Sequence, residues 1–163
     1  MITLSVIIIV KDAASDIQAC LESVKWADEI IILDSGSRDN TLEICRQYTQ
    51  NIFSSDWPGF GVQKNRALDK AQGKWVLSLD ADEALSPGLI EEIKQTMFSA
   101  GVSSEGYAIK RVSFFSGTIS PVTLNSELRV FLVVSIWADN CTVQVMKNSS
   151  IKILIADDHE LFR

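Results

Sequence analysis

Three short apolar runs constrain this chain more than any other feature. Leu4 to Val10 is rich in β-branched residues, Glu29 to Asp34 carries Ile30, Ile31, Ile32 and Leu33, and Lys74 to Glu83 carries Val76, Leu77 and Leu79 before three carboxylates. Apolar runs of this length without strict alternation are strands buried on both faces, the habit of parallel sheets covered by helices. Between the first two runs the period changes. Ile17, Cys20, Leu21 and Val24 fall at i, i+3, i+4 and i+7, an amphipathic helix, and Ser15 with Gln18 has capping-box spacing. After Asp34 comes the turn-rich Ser35-Gly-Ser-Arg-Asp-Asn40, then a helix expected to carry Leu42, Cys45 and Tyr48 on one face.

Strand, helix, strand and helix in this order predict right-handed βαβ crossovers and an α/β fold. Ligands of such sheets sit beyond the carboxyl ends of the strands. That rule gathers Lys11 and Asp12, then Asp34, Ser35 and Gly36, then Asp80 and Asp82 around one crevice. Strand alternation is expected to bring Asp80 and Asp82 out on the same side. Two carboxylates so close repel, and a hard divalent cation such as Mg or Mn is their natural partner. The plainer alternative is a polar strand end leading into a helix cap. Neither GxGxxG after the first strand nor GxxxxGK[ST] occurs, so nicotinamide and P-loop sites have no support.

Ile52 and Phe53 are expected to form a short strand, and Asp56 to Gly61 an irregular loop. Gln63 to Gln72 reads as a helix with Ala67, Leu68 and Ala71 inward and Gly73 as its stop. Lys64, near the start of that helix, is either a solvated lysine or a contact to phosphate or sugar. Ser86 and Pro87 open the next helix, whose buried face is Leu89, Ile90, Ile93 and Met97.

The 163 residues, 47% of them hydrophobic, suffice for one compact domain with a real core. A net charge of −6 argues against nucleic-acid backbone binding. Cys20, Cys45 and Cys141 are odd in number and lack a CxxC pair, so neither a disulfide framework nor a zinc site is expected. The N-terminal run lacks a basic leader and a cleavage site, and Val130 to Ala138 falls short of the roughly 18 to 20 residues of a spanning helix. A cytoplasmic setting follows, with peripheral contact at the inner membrane face left open.

At these residues the chain resembles the family 2 glycosyltransferases of the GT-A fold, especially bacterial lipopolysaccharide-core glucosyltransferases. The resemblance rests on Leu4 to Ile9, Cys20-Leu-Glu-Ser-Val-Lys-Trp-Ala-Asp-Glu-Ile-Ile31, Leu33-Asp-Ser-Gly-Ser-Arg-Asp39, Trp57-Pro-Gly-Phe-Gly-Val-Gln-Lys-Asn65 and Trp75-Val-Leu-Ser-Leu-Asp-Ala-Asp-Glu83. It implies a GT-A, Rossmann-like, mainly parallel sheet with helices on both faces, and a C-terminal part that is truncated or atypical. It further implies a nucleotide-diphosphate sugar donor, UDP-linked, and a saccharide or lipid-linked saccharide acceptor. Asp34 would contact the nucleoside, Asp80 the ribose or the metal, and Asp82 the metal bridging the diphosphate. Lys11, Asp12, Ser35, Gly36, Gln63 and Lys64 join the substrate side, with Asp12 standing where many relatives have asparagine.

Residues 1–115 thus read as a nucleotide-sugar-binding core, 116–149 as a partial acceptor region and 150–163 as a tail strand. Glu127 to Phe131 and Trp137-Ala-Asp-Asn140 resemble the family's later segments, but Cys141-Thr-Val-Gln144 replaces its Val-His-Glu motif. Asp139 is the nearest remaining candidate for the base of an inverting, metal-dependent transferase. The tail from Ser150, with Asp157 and Asp158, resembles the start of a response-regulator receiver domain. The alternative to an active enzyme is a catalytically impaired sugar-nucleotide-binding remnant.

Overall fold

A computed structural model of the chain describes residues 3–98, 106–109, 113–115, 118–120 and 152–156. The first strand, β1 (Leu4–Val10), is buried along its whole length. The helix α1 (Ile17–Val24) follows, then β2 (Glu29–Asp34), also buried throughout. The expected capping box is absent. Asp16 holds the N-cap without a side-chain cap bond, and the Ser15 hydroxyl donates to the Asp16 carboxylate, so it is not available to the helix amides.

The next helix, α2 (Thr41–Cys45), is a single turn shorter than the pattern predicts, because the chain tightens at Gln47 and Tyr48 into bonds back to the Ile44 and Cys45 carbonyls. Ile44, rather than Leu42, packs against the core beside Cys45 and Tyr48. A short edge strand, β3 (Ile52–Ser54), pairs with β2, as expected. The helix α3 (Phe60–Leu68) starts three residues before its expected first residue, Gln63, and ends before Gln72. Gly59 provides its entry at φ +115°, a conformation open to glycine and strained for other residues.

The third long strand, β4 (Trp75–Asp80), leads through a turn to α4 (Pro87–Phe98), where the Ser86 hydroxyl accepts the Leu89 amide at 3.3 Å. Beyond it lie β5 (Gly106–Ile109), an antiparallel ribbon of β6 (Ser113–Phe115) and β7 (Thr118–Ser120), and β8 (Lys152–Ala156). The main sheet is parallel in order β3-β2-β1-β4-β8-β5, with the tail strand β8 between β4 and β5.

Alternation along the strands builds two cores. Leu4, Val6, Ile8 and Val10 of β1 face α1, α2 and α4 together with Ile30, Ile32, Leu77 and Leu79. Ile7 and Ile9 face the other way, with Ile31, Leu33 and Val76, toward Ala67 of α3. Helices therefore cover both faces, as the continuously apolar strands require.

Gly73 is not a helix stop. Its amide donates to the Ser5 hydroxyl at 2.8 Å, and that hydroxyl donates to Glu29 Oε2 at 2.5 Å, so the chain entering β4 presses directly onto β1. A Cβ here would lie 2.6 Å from the Ser5 amide nitrogen and 2.8 Å from the Trp75 carbonyl oxygen, backbone atoms that cannot swing aside. Gly73→Ala is expected to lower stability by about 1–3 kcal/mol in urea unfolding, the usual penalty of overpacking. Gly88→Ala, whose Cβ meets nothing within 4 Å, should leave the midpoint within experimental scatter or raise it slightly.

Candidate functional site

The strand register aligns Val10 with Asp34 and Ile9 with Asp80, so β1, β2 and β4 end together at one edge of the sheet. The polar residues that follow them share that edge. Asp34 is buried, and its carboxylate accepts the Gly36 amide at 3.0 Å and the Ser37 amide at 3.0 and 3.3 Å from its two oxygens. This folds the β2 loop back on its own strand, and Gly36 takes φ +88° to make the turn.

Asp12 closes the same loop from β1. It adopts φ 49°, a conformation Asp tolerates better than most residues; its amide donates to Ser37 Oγ at 2.9 Å and its Oδ1 accepts the Arg38 amide at 2.7 Å. Asp39 adds a third tie, accepting the Ala14 amide and both the amide and hydroxyl of Thr41. The Thr41 hydroxyl bond in particular holds the Asp39 carboxyl below the usual carboxylate range. Lys11 is exposed beside this clasp.

The helix α3 lies over the strand ends and touches two of them with consecutive residues. Gln63, fully buried, donates its amide to Ser35 Oγ at 2.8 Å beyond β2. Lys64 places its ammonium 3.1 Å from Asp80 Oδ1 at the end of β4. Because β2 and β4 flank β1, residues 63 and 64 bridge across the end of the central strand. Two residues on, Arg66 bonds Asp56 at 2.7 Å and the Ser55 hydroxyl, fixing the loop after β3 and lowering the Asp56 pKa.

The acidic turn departs from the sequence expectation. Strand β4 stops at Asp80, two residues before Asp82, and the Glu83 amide returns to the Asp80 carbonyl at 3.1 Å, so strand alternation does not extend to Asp82. Glu83 is buried rather than free: its Oε2 accepts the Asp80 amide at 2.8 Å. Asp80 Oδ1 is also buried and makes no aligned hydrogen bond among the described residues, the Lys64 ammonium being its counter-charge. Asp82 is exposed on the turn. Carboxylate oxygens of the kind Asp80 and Asp82 carry are the donors that a hard divalent cation takes. Among the described residues no three His, Cys, Asp or Glu side chains converge, so such an ion would complete its shell with water and substrate oxygens.

Cys20 lies beneath the turn, its thiol 3.6 Å from the Asp80 carbonyl. Burial, reinforced by Glu83, Asp82 and Asp80, pushes its pKa up to about 12; burial and Asp34 push Cys45 to about 11.

The structure thus gathers Asp12, Asp34, Ser35, Gly36, Gln63, Lys64, Asp80 and Asp82 at one edge, while Asp139 lies outside the described residues. The sequence reading missed Glu83 as the brace of the turn and Ser37, Asp39 and Thr41 as members of the β2 clasp. The signal for Glu83 was its position three residues after Asp80, the spacing of a side chain folding back on a backbone amide.

The model for glycosyl transferase family 2 matches residues 5–159. A TPR repeat-containing protein of Synechococcus elongatus is 42% identical over 87 residues, 52% of this chain and 22% of that protein. The lipopolysaccharide core biosynthesis glycosyltransferase LpsC of Rhizobium meliloti is 29% identical over 70% of this chain and 44% of its own length. The chain therefore spans less than half the length of these curated relatives. Among solved structures, S. aureus TarS 1-349 in complex with UDP superposes with a TM-score of 0.50 at 26% identity, covering 58% of this chain and 32% of that one. Glucosyl-3-phosphoglycerate synthase from Mycobacterium tuberculosis, in complex with Mn2+ and UDP-glucose, superposes at 0.55 and 22% identity, over 68% of this chain and 44% of that one, a likeness of fold.

Two outcomes follow from the turn and its buried thiol. Glu83→Ala strands the Asp80 amide and is expected to lower stability by about 1–3 kcal/mol in urea unfolding, whereas Glu83→Gln keeps an oxygen acceptor and should recover most of that loss. Cys20 and Cys45 stay protonated in the folded state above pH 9 while the unfolded thiols ionise near their ordinary value of 9.0. The unfolded state then binds fewer protons, so their contribution to stability is complete below pH 9 and is lost as pH rises toward 11 to 12. Urea titrations of wild type and a Cys20→Ala, Cys45→Ala variant across pH 8 to 10 check it: the wild type should lose stability faster.

Proposed function

The chain belongs to glycosyl transferase family 2, and from that premise we propose that its sheet edge binds a nucleotide-diphosphate sugar, UDP-linked, with a divalent cation at Asp80 and Asp82. The observation that carries this reading is the bridge made by Gln63 and Lys64 between the ends of β2 and β4. It sets amide donors, a lysine and two acidic residues around one crevice, the complement of a ribose, a diphosphate and its cation. The TarS complex with UDP, at 26% identity, supports the choice of nucleotide.

Asp34, held by the Gly36 and Ser37 amides, contacts the nucleoside with its remaining lone pairs, aided by Asp12, Ser35 and Lys11. Asp80 serves the ribose or the cation, and Asp82 the cation. When bound, the cation neutralises charge on the leaving diphosphate and lowers the barrier to breaking the sugar–phosphate bond. Lys64 adds a positive charge on the same side. Transfer proceeds with inversion to a saccharide or lipid-linked saccharide in cell-envelope polysaccharide or lipopolysaccharide-core synthesis, a role that the likeness to LpsC supports. Asp139 is the base we assign to the acceptor hydroxyl. The setting is cytoplasmic, at or near the inner membrane face; among the described residues no helix is long and apolar enough to cross a membrane.

The second reading, donor binding without transfer, is favoured by Cys141-Thr-Val-Gln144 standing where the family motif has histidine and glutamate. Calorimetry with UDP separates binding from its absence: Mn is expected to tighten UDP binding at least about ten-fold, a gain of about 1.4 kcal/mol, and Asp82→Ala should abolish that gain. Equal binding with and without Mn, or an unchanged gain in Asp82→Ala, would sink the donor site. Turnover of UDP-sugar then supports the enzyme, and tight binding with no turnover supports the remnant.

A further inference from the structure

Resting on the donor-site reading, we infer that Lys64 is an internal competitor of the divalent cation, released only when a diphosphate arrives to receive it. Asp80 Oδ1 is a buried carboxylate oxygen with no aligned hydrogen bond, and the Lys64 ammonium stands 3.1 Å from it. The two side chains are only 16% and 22% exposed, so the pair is shielded from the solvent that would dissolve a surface salt bridge. A cation binding the Asp80 carboxylate through either oxygen comes close to that ammonium. At such range, in a partly buried site, an ammonium and a divalent ion repel strongly.

The geometry supplies a way out. Lys64 sits at the middle of α3, a lysine on a four-carbon stem, and its neighbour Gln63 stays anchored to Ser35. The ammonium can therefore swing while the helix stays in place. The group that would draw it off Asp80 is a polyanion lying between the strand ends, and a nucleoside diphosphate has that charge. Lys64 then makes cation and diphosphate binding cooperative: each removes the obstacle to the other. The free protein is kept from filling its site with metal alone.

Binding of Mn alone, of UDP alone and of each in the presence of the other, measured by calorimetry and by electron paramagnetic resonance of Mn, closes a thermodynamic cycle. Lys64→Met, isosteric but uncharged, is expected to bind Mn without nucleotide at least about ten-fold more tightly than wild type, and UDP in the presence of Mn more weakly, so that the coupling shrinks. Lys64→Arg, which keeps the charge, should leave Mn alone as weak as in wild type. A Lys64 that merely stiffens the site would lose Mn affinity on substitution, so Mn binding unchanged or weakened in Lys64→Met overturns the inference. Wild type binding neither Mn nor UDP would overturn the donor site itself; wild type with coupled binding and Lys64→Met without the gain would overturn only the role given to Lys64. Circular dichroism and thermal melts confirm that both variants are folded.

Discussion

The burial of β1 on both faces and both edges is the constraint from which the rest follows. Every residue from Leu4 to Val10 is buried, its ladder bonds go to β2 on one side and β4 on the other, and its side chains alternate into two separate cores. A strand so placed needs helices on both sides of the sheet. The helical crossovers that supply this cover return β2 and β4 parallel to β1, so that Asp34 and Asp80 arrive at the same edge as Val10. The amino edge is sealed by a buried Ser5–Glu29 pair and the close approach of Gly73, leaving the carboxyl edge as the one with unspent polar groups.

That edge has two kinds of order. On the β2 side, carboxylates are consumed by backbone amides: Asp34, Asp12 and Asp39 each tie down a loop, and what they offer a ligand is position more than free charge. On the β4 side, negative charge is concentrated. Asp80, Asp82 and Glu83 crowd one turn, Glu83 is turned inward to hold the Asp80 amide, and a single lysine answers Asp80. The first side suits the hydrogen-bonding groups of a nucleoside, and the second suits a cation and the phosphates it accompanies. The α3 helix joins the two through adjacent residues.

Much of this was legible in the sequence. The β-branched runs specify the parallel sheet, and the period shift at Ile17 specifies α1, because both signals are repeated over many residues. Single-residue inferences fared unevenly, each for a local reason. Ser15 was displaced as a cap by its neighbour Asp16, Leu42 yielded its core place to Ile44 when α2 shortened, and Gly73 serves close strand packing rather than helix termination. The Asp80 and Asp82 alternation failed because a turn, not a strand, joins them. Gln63 and Lys64 were legible as motif members, but their reach to two different strand ends depends on how α3 is placed over the sheet, which no local pattern encodes.

In the proposed function, one edge of the sheet, and not the other, receives a nucleoside diphosphate with its cation. Amide chemical-shift mapping by two-dimensional NMR, titrating UDP with a diamagnetic Mg ion into the full chain, addresses it residue by residue. Shifts are expected to concentrate at Lys11–Ala13, Asp34–Ser37, Gln63–Lys64 and Asp80–Glu83. Shifts centred instead on Thr3–Ser5, Asp28–Glu29 and Gln72–Gly73, or no saturable shifts at all, would contradict it.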